Sequence, residues 1–344
     1  GMPIIYANMV GGQDELVFDG GSFALDGKGA LTHQLPLFDE ALGIVSLNGA
    51  DIAAGEIVPP VSLEAEVYSA LCVGVRDYVR KNGFPGVLLG LSGGIDSAVT
   101  LAIAVDAIGP ENVHAVMMPS QYTADISQID AREEAEKLGV RYSEIAIKPV
   151  FDVFTAALAD EFKGLAADTT EENIQARVRG TLLMAMSNKT GAIVVTTGNK
   201  SEMGTGYATL YGDMAGGFAV LKDISKMLVY RLANYRNTLS PVIPQRVITR
   251  APSAELRPNQ TDQDSLPPYD VLDAIMEAYV EYNRGPEEIE AAGYARKDVD
   301  RVVHLLRISE YKRRQAPVGI RITPRGFGKD WRYPITNKFR PPFE

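Results

Sequence analysis

The residues with the clearest chemistry in this 344-residue chain form one turn, Gly90-Leu91-Ser92-Gly93-Gly94-Ile95-Asp96-Ser97. Its glycines carry no Cβ, so backbone N–H groups can close on an anion. An apolar run over 87–91 precedes the turn, and a helical pattern over 97–108 follows it. The positive end of that helix points at the same place. The combination is a phosphate cradle at a strand–helix turn. It matches neither GxxxxGK[ST] nor GxGxxG, because no lysine follows the second glycine. Asp96 stands where a nucleotide phosphate would arrive. A bare carboxylate repels a polyphosphate unless a divalent cation such as Mg²⁺ bridges the two. The competing reading is that Asp96 or Ser97 only caps the helix.

The elements around the turn alternate. Strands are predicted at 87–91, 113–118, 140–147 and 192–197. Helices are predicted at 97–108, 127–138, 150–162 and from the Thr169-x-x-Glu172 capping box to about residue 187. That alternation predicts an α/β fold, a doubly wound parallel sheet with helices on both faces. Ligands of such sheets lie beyond the carboxyl ends of the strands, here the turns after Leu91, Met118, Ile147 and Thr197. Upstream, short strands at 3–10, 15–18, 22–25 and 31–37 read as a β-meander turning at Gly20-Gly21, and 45–60 reads as a connector. A helix over 62–82 carries Val67, Leu71, Val75 and Val79 at four-residue spacing, with Cys72 beside that stripe as a packing residue. Downstream, 204–217 reads as a loop presenting Tyr207, Tyr211 and Asp213. Residues 250–268 read as a Pro-rich loop or lid, and helices are predicted at 225–237, 270–283, 286–293 and 297–311. From Leu305 to Glu344 ten Lys/Arg face three Asp/Glu, a solvated tail or an aid to binding a polyanion.

Composition narrows the function. Net charge −10 argues against a nucleic-acid binder. One cysteine excludes an intrachain disulfide and a thiolate metal cluster, and His33, His114 and His304 lie far apart. No apolar run approaches the length of a membrane span and no signal-peptide pattern opens the chain, so no membrane partner is expected and the cytoplasm is.

Further stretches accompany the turn: Val116-Met117-Met118-Pro119-Ser120-Gln121-Tyr122-Thr123, Glu172-Asn173-Ile174-Gln175-Ala176-Arg177-Val178-Arg179-Gly180, Thr196-Thr197-Gly198-Asn199-Lys200-Ser201-Glu202, Leu210-Tyr211-Gly212-Asp213, Leu221-Lys222-Asp223-Ile224-Ser225-Lys226 and Glu310-Tyr311-Lys312-Arg313-Arg314. The turn resembles the PP-loop of the ATP pyrophosphatase group. With these stretches the chain is similar to NAD synthetases from about Pro60 to its C-terminus. Residues 1–46 resemble the last strands of the nitrilase-type glutaminase domain that precedes the synthetase in the glutamine-dependent branch.

The resemblance implies an adenine nucleotide alpha-hydrolase-like synthetase domain over 61–344, a linker over 47–60, and a glutaminase remnant over 1–46 in a chain that otherwise lacks that domain. It implies that the carboxylate of deamido-NAD attacks the α-phosphorus of ATP, that pyrophosphate leaves, and that ammonia converts the acyl adenylate to the amide of NAD with release of AMP. It also implies Mg²⁺ and a homodimer or larger assembly. With Cys72 on a helix and no nitrilase-type nucleophile, free ammonia is the expected nitrogen source, and the chain is expected to be part of a longer enzyme.

The resemblance also assigns residues. Gly90, Leu91, Ser92, Gly93, Gly94, Ile95, Asp96 and Ser97 hold the phosphates of ATP. Asp96 and Glu202 bind Mg²⁺, and Lys226 neutralises the triphosphate. Met118 with Pro119 lines the adenine site, and Thr197 and Ser253 touch ATP. Asn173, Arg177, Asp213 and Lys312 take deamido-NAD. Read singly, Glu202 is equally a solvated helix-end residue, Lys226 a solvated lysine, Met118 core, and Asn173 with Arg177 a surface pair four apart on a helix. The chain departs from the ammonia-dependent relatives at Leu210, Gly217, Tyr311 and Ser253, where they carry Lys, Asp, His and Thr. Two other functions stay open: another PP-loop amidating or adenylating ligase, and a non-catalytic adenine-nucleotide sensor. The sensor would keep the glycines without needing Glu202, Lys226 and the Asn173/Arg177 pair together.

Overall fold

The computed structural model describes residues 1–49, 51–258 and 260–336. Five short strands open the chain: β1 (Ile4–Tyr6), β2 (Val10–Gln13), β3 (Leu16–Asp19), β4 (Phe23–Leu25) and β5 (Leu31–Gln34). β1, β4 and β5 form an antiparallel sheet, and β2 and β3 a separate hairpin. The strand expected over 3–10 is broken because Asn8 turns the chain: its Nδ2 donates to Asp19 Oδ1 at 2.8 Å and its Oδ1 accepts from Met9 N at 3.0 Å. The expected connector 45–60 holds a two-residue hairpin, β6 (Leu47–Asn48) with β7 (Asp51–Ile52).

Helix α1 (Leu63–Lys81) starts at Ser62, whose hydroxyl accepts from Ala65 N, and buries Val67, Leu71, Val75 and Val79. The β2–β3 hairpin is fastened to it: Gly12 N donates to Asp77 Oδ2 and Lys81 Nζ donates to Gly12 O, both at 2.8 Å.

Next come β8 (Val87–Gly90), α2 (Ile95–Ile108), β9 (Val113–Met117), α3 (Asp125–Leu138), β10 (Arg141–Glu144), α4 (Lys148–Ala157), α5 (Thr169–Thr190), β11 (Ile193–Thr196), α6 (Lys200–Thr205), β12 (Phe218–Ala219), α7 (Lys226–Leu239) and α8 (Gln245–Thr249). With β13 (Val318–Gly319) the strands form one six-stranded sheet in the order β10-β9-β8-β11-β12-β13. Every pairing in it is parallel. Side chains alternate across it as a pleat requires. Leu89, Ala115 and Val195 join the core under α1, α2 and α7, while Leu88, Val116 and Val194 join the core under α5. The strands read as continuous apolar runs because both faces are covered.

The sequence missed β12 and β13, which pair over two residues each and show no periodicity. The capping box of α5 lies one residue earlier than expected: Thr170 N donates to Asp168 Oδ1 at 2.7 Å and Asp168 N to Glu171 Oε2 at 2.9 Å. Helix α4 ends at Ala157 and gives way to turns. The C-terminal third is helical: α9 (Tyr269–Val280), α10 (Pro286–Ala291), α11 (Arg296–Ile308) and α12 (Glu310–Arg313), around a core that includes Leu272, Ile275, Val302 and Leu306. The single helix expected over 297–311 breaks at Ser309, whose hydroxyl donates to Thr205 O at 2.9 Å. Lys338 and Arg340 of the basic end lie outside the described residues. Among the described residues no helix is long and apolar enough to cross a membrane.

Candidate active site

A cavity of about 280 Å³ opens beyond the carboxyl ends of β8, β9 and β11, where a parallel sheet is expected to hold its ligand. Gly90–Ser97 forms its floor. Ala176, Arg179, Gly180 and Leu183 of α5 line another part, and the segment from Arg250 to Leu256 contributes as well.

The turn takes its shape from its own hydroxyls. Ser97 Oγ donates to Gly94 O at 2.9 Å and lies 3.0 Å from Ser92 Oγ, which accepts from Gly94 N at 3.2 Å. Gly93 is fixed as glycine twice over. Its φ is +77°, and a Cβ there would stand 2.2 Å from Ser127 O of α3. Helix α2 begins at Ile95 with Gly94 at its N-cap and no side-chain cap, so Asp96 sits inside the first turn and does not cap the helix.

Asp96 instead faces the next strand end. Asn199 Nδ2 donates to Asp96 Oδ1 at 2.8 Å, and Lys226 Nζ forms an ion pair with Asp96 Oδ2. Lys226 is 2% exposed, which removes its reading as a solvated lysine, and its ammonium lies 5.2 Å from the Tyr269 ring centroid. Burial disfavours its charge, but Asp96 and Glu202 outweigh burial and hold its pKa above the ordinary value. Glu202 is no solvated helix end either. Asn199 and Glu202 form the capping box of α6: Glu202 N donates to Asn199 Oδ1 at 3.0 Å, and Asn199 N to Glu202 Oε2 at 3.1 Å. Burial, and then the charge of Asp96, push the Glu202 carboxyl well above the ordinary carboxylate range. Asp96 and Glu202 are thus two carboxylates from two strand ends, converging on one cavity wall. Among the described residues no cluster of three metal-ligating side chains occurs. This donor set suits Mg²⁺, which takes one or two carboxylates and completes its shell with phosphate oxygens and water.

Met118 lines the cavity with Thr197 and Ser253. Met118 is 6% exposed, and Ser253 Oγ donates to Gln260 O at 2.6 Å. Asp213 is open to the cavity but surrounded by protein, which raises its carboxyl to about 6 even though it accepts from Thr209 N at 2.6 Å.

The structure does not bring Asn173, Arg177 and Lys312 to the cavity wall. They surround the loop after α6. Thr209 Oγ1 donates to Asn173 Oδ1 at 2.8 Å, Arg177 Nε to Leu210 O at 3.2 Å, and Lys312 Nζ to Gly206 O and Ala208 O at 2.7 Å each. The arginine of α5 on the cavity wall is Arg179. Asn173 and Arg177, four apart, share the neighbouring face of α5, whereas the cavity wall follows positions 176, 179, 180 and 183. The sequence also missed Arg250, Glu255 and Asp262, which line the cavity from a segment without periodicity.

Residues 67–316 match the sequence profile of the NAD synthase family. The chain is 53% identical over 342 residues to the glutamine-dependent NAD(+) synthetase of Acinetobacter baylyi, a match covering 98% of this chain and 63% of that protein. In three dimensions it is similar to the glutamine-dependent NAD⁺ synthetase of Acinetobacter baumannii solved in complex with ADP, with a TM-score of 0.72 and 51% identity over 97% of this chain and 62% of that one. It is also similar to the NMN synthetase of Francisella tularensis, with a TM-score of 0.61 and 27% identity over 72% of this chain and 94% of that one. The chain therefore spans a little under two thirds of the length of the glutamine-dependent relatives.

Proposed function

The chain belongs to the NAD synthase family, and from that premise we propose that its cavity amidates deamido-NAD at the expense of ATP, through an acyl adenylate. The observation that carries the proposal is the convergence of Asp96, Glu202 and buried Lys226 beside a glycine turn that a Cβ at Gly93 would block. A nucleotide sensor needs the turn but not the buried charges.

In this reading the N–H groups at the start of α2 take phosphate oxygens of ATP. Asp96 and Glu202 would hold Mg²⁺, which would supply charge neutralisation for the phosphates and make pyrophosphate a better leaving group. Lys226 carries three donors, so it can stay on Asp96 and still reach a phosphate. A nicotinate carboxylate oxygen attacks the α-phosphorus, and the bond from that phosphorus to the bridging oxygen of pyrophosphate breaks. Ammonia then attacks the acyl carbon, AMP leaves and one proton is lost. Little of this is covalent work for the protein, which must position two nucleotides and keep water from the adenylate. The 250–262 segment suits that task. Glu255 accepts from Ser127 Oγ at 2.7 Å and Ala124 N at 3.1 Å, Gln175 Nε2 donates to Leu256 O at 2.9 Å, and Gln260 Nε2 to Glu172 Oε2 at 3.2 Å.

Cys72 is half-buried on α1 and burial raises its thiol, so it is no nucleophile for releasing ammonia from glutamine. In this reading the residues of this cavity take ammonia as the nitrogen donor. The likeness to an NMN synthetase makes nicotinate mononucleotide the alternative acid. The test is pyrophosphate release from Mg²⁺–ATP with ammonium, with deamido-NAD, nicotinate mononucleotide or no acid supplied. Release that requires deamido-NAD supports the proposal. Release preferring the mononucleotide transfers the activity to that substrate, and no acid-dependent release refutes it. Glutamine in place of ammonium should give only background, and glutamine-driven turnover lost in Cys72→Ala would overturn the ammonia assignment.

A further inference from the structure

Two cations of the cavity, Arg179 and Arg250, have no role from the family resemblance, and Arg250 is already paired with Glu255. Arg179 lies on the cavity wall formed by α5, with Ala176 and Gly180. Its Nε donates to Met118 O at the end of β9 at 3.0 Å. Among the described residues it forms no ion pair. Glu255 and Asp213 act on its charge only at longer range. Each is engaged elsewhere: Glu255 with Ser127, Ala124 and Arg250, and Asp213 with Thr209. Burial lowers the Arg179 pKa to about 10, yet the group stays charged at neutral pH. The side chain is half-buried at the cavity surface, and with one carbonyl partner its remaining donors are left for an opposing charge in the cavity. Its fork matches the paired oxygens of a phosphate or carboxylate. The Nε bond to Met118 fixes the plane of that fork, leaving the terminal N–H groups as the free donors.

We propose that Arg179 is a substrate-binding residue whose terminal nitrogens take an anionic pair of oxygens in the cavity: either non-bridging oxygens of the adenine nucleotide's α-phosphate or the carboxylate of the acid substrate. This rests on the amidation reading above but is tested separately from it. The competing role is purely structural, in which Arg179 holds Met118 in place and touches no anion.

The experiment measures affinities of the wild-type chain, Arg179→Lys and Arg179→Met for two matched ligand pairs. Adenosine and AMP share base and ribose and differ by the phosphate. NAD and deamido-NAD differ by amide against carboxylate. If Arg179 takes the phosphate, Arg179→Met weakens AMP roughly ten- to a hundredfold and leaves adenosine within about twofold, with Arg179→Lys between. If it takes the carboxylate, the same selective loss falls on deamido-NAD against NAD. Equal weakening within both pairs, or no weakening in either, overturns the proposal. Wild-type protein that binds AMP but never turns over deamido-NAD would sink the amidation reading while leaving the AMP and adenosine comparison decisive for Arg179.

Discussion

Neutralising Asp96 separates the candidate site's charges in a way the geometry allows to be sized. Lys226 is buried, its side chain 2% exposed, and that of Asp96 is 16% exposed. Removing one partner of a buried ion pair ordinarily costs about 3–5 kcal/mol, because the other charge is left uncompensated. Here Glu202 stands in reserve. Its carboxyl is pushed well above the ordinary carboxylate range by burial and by the charge of Asp96, and it interacts with Lys226. Asp96→Asn removes the larger of the two charges that raise Glu202, the other being that of Asp262, and so favours the Glu202 carboxylate as a substitute partner for Lys226. The single variant should therefore lose only about 1–2 kcal/mol at pH 7. Glu202→Gln keeps the acceptor for Asn199 N and should lose under about 1 kcal/mol. The double variant leaves Lys226 alone and should lose the full ~3–5 kcal/mol, a coupling of about 1–3 kcal/mol. Urea denaturation followed by far-ultraviolet circular dichroism gives all three values. Additive losses, or a full loss already in Asp96→Asn, would refute the reasoning. Turnover should be largely abolished in Asp96→Asn even at saturating Mg²⁺, and unchanged turnover would remove Asp96 from the metal site.

Three further outcomes are expected. Gly93→Ala forces a positive φ on alanine and a Cβ against Ser127 O, so it should cost at least about 2 kcal/mol and abolish ATP binding. Gly94→Ala meets only the movable Ser92 Oγ at 3.3 Å and should cost under about 1 kcal/mol, and equal effects in calorimetry would contradict the turn geometry. Glu134 on α3 is 0% exposed, with both carboxyl oxygens unpartnered and its pKa raised by burial to about 8 from 4.5. A raised carboxyl favours folding below the unfolded pKa, and that contribution is lost as pH rises from about 4.5 to about 8. The wild-type chain should thus lose up to ~4 kcal/mol more than Glu134→Gln over that window, and parallel stability–pH curves would count against it. Because Glu202 sits above the carboxylate range, Mg²⁺–ATP binding at neutral pH should release protons, read by titration calorimetry in buffers of different ionisation enthalpy. Glu202→Gln should abolish that release, and release unchanged in the variant would remove Glu202 as a ligand.

The sequence was most informative where one local constraint decides the structure. The Gly90–Ser97 turn could be placed from its residues because positive φ, close backbone approach and a following helix each demand particular residue types. The parallel order was legible because apolar strands alternate with helices, but β12 and β13 were not, since two-residue strands carry no period. Helix α6 was legible in principle. Asn199-x-x-Glu202 is a capping-box pattern, passed over because the helix is only six residues long. That omission also hid how Glu202 is held at the strand end. Lys226 looked like a surface residue because nothing local reveals that Asp96, 130 residues away, pairs with it. Arg179 was hidden by its neighbour: two residues apart on a helix means different faces, and only the packed position of α5 says which face meets the cavity.

The central claim, activation of a carboxylate by adenylation, is tested most directly by following its oxygen. Deamido-NAD carrying heavy oxygen in the nicotinate carboxylate is incubated with the chain, Mg²⁺–ATP and ammonium, and the products are weighed by mass spectrometry. An acyl adenylate requires one heavy oxygen to appear in AMP, one to remain in the amide of NAD, and none to reach pyrophosphate. Heavy oxygen in inorganic phosphate, with ADP as the other product, would mean attack at the γ-phosphorus and would contradict the account.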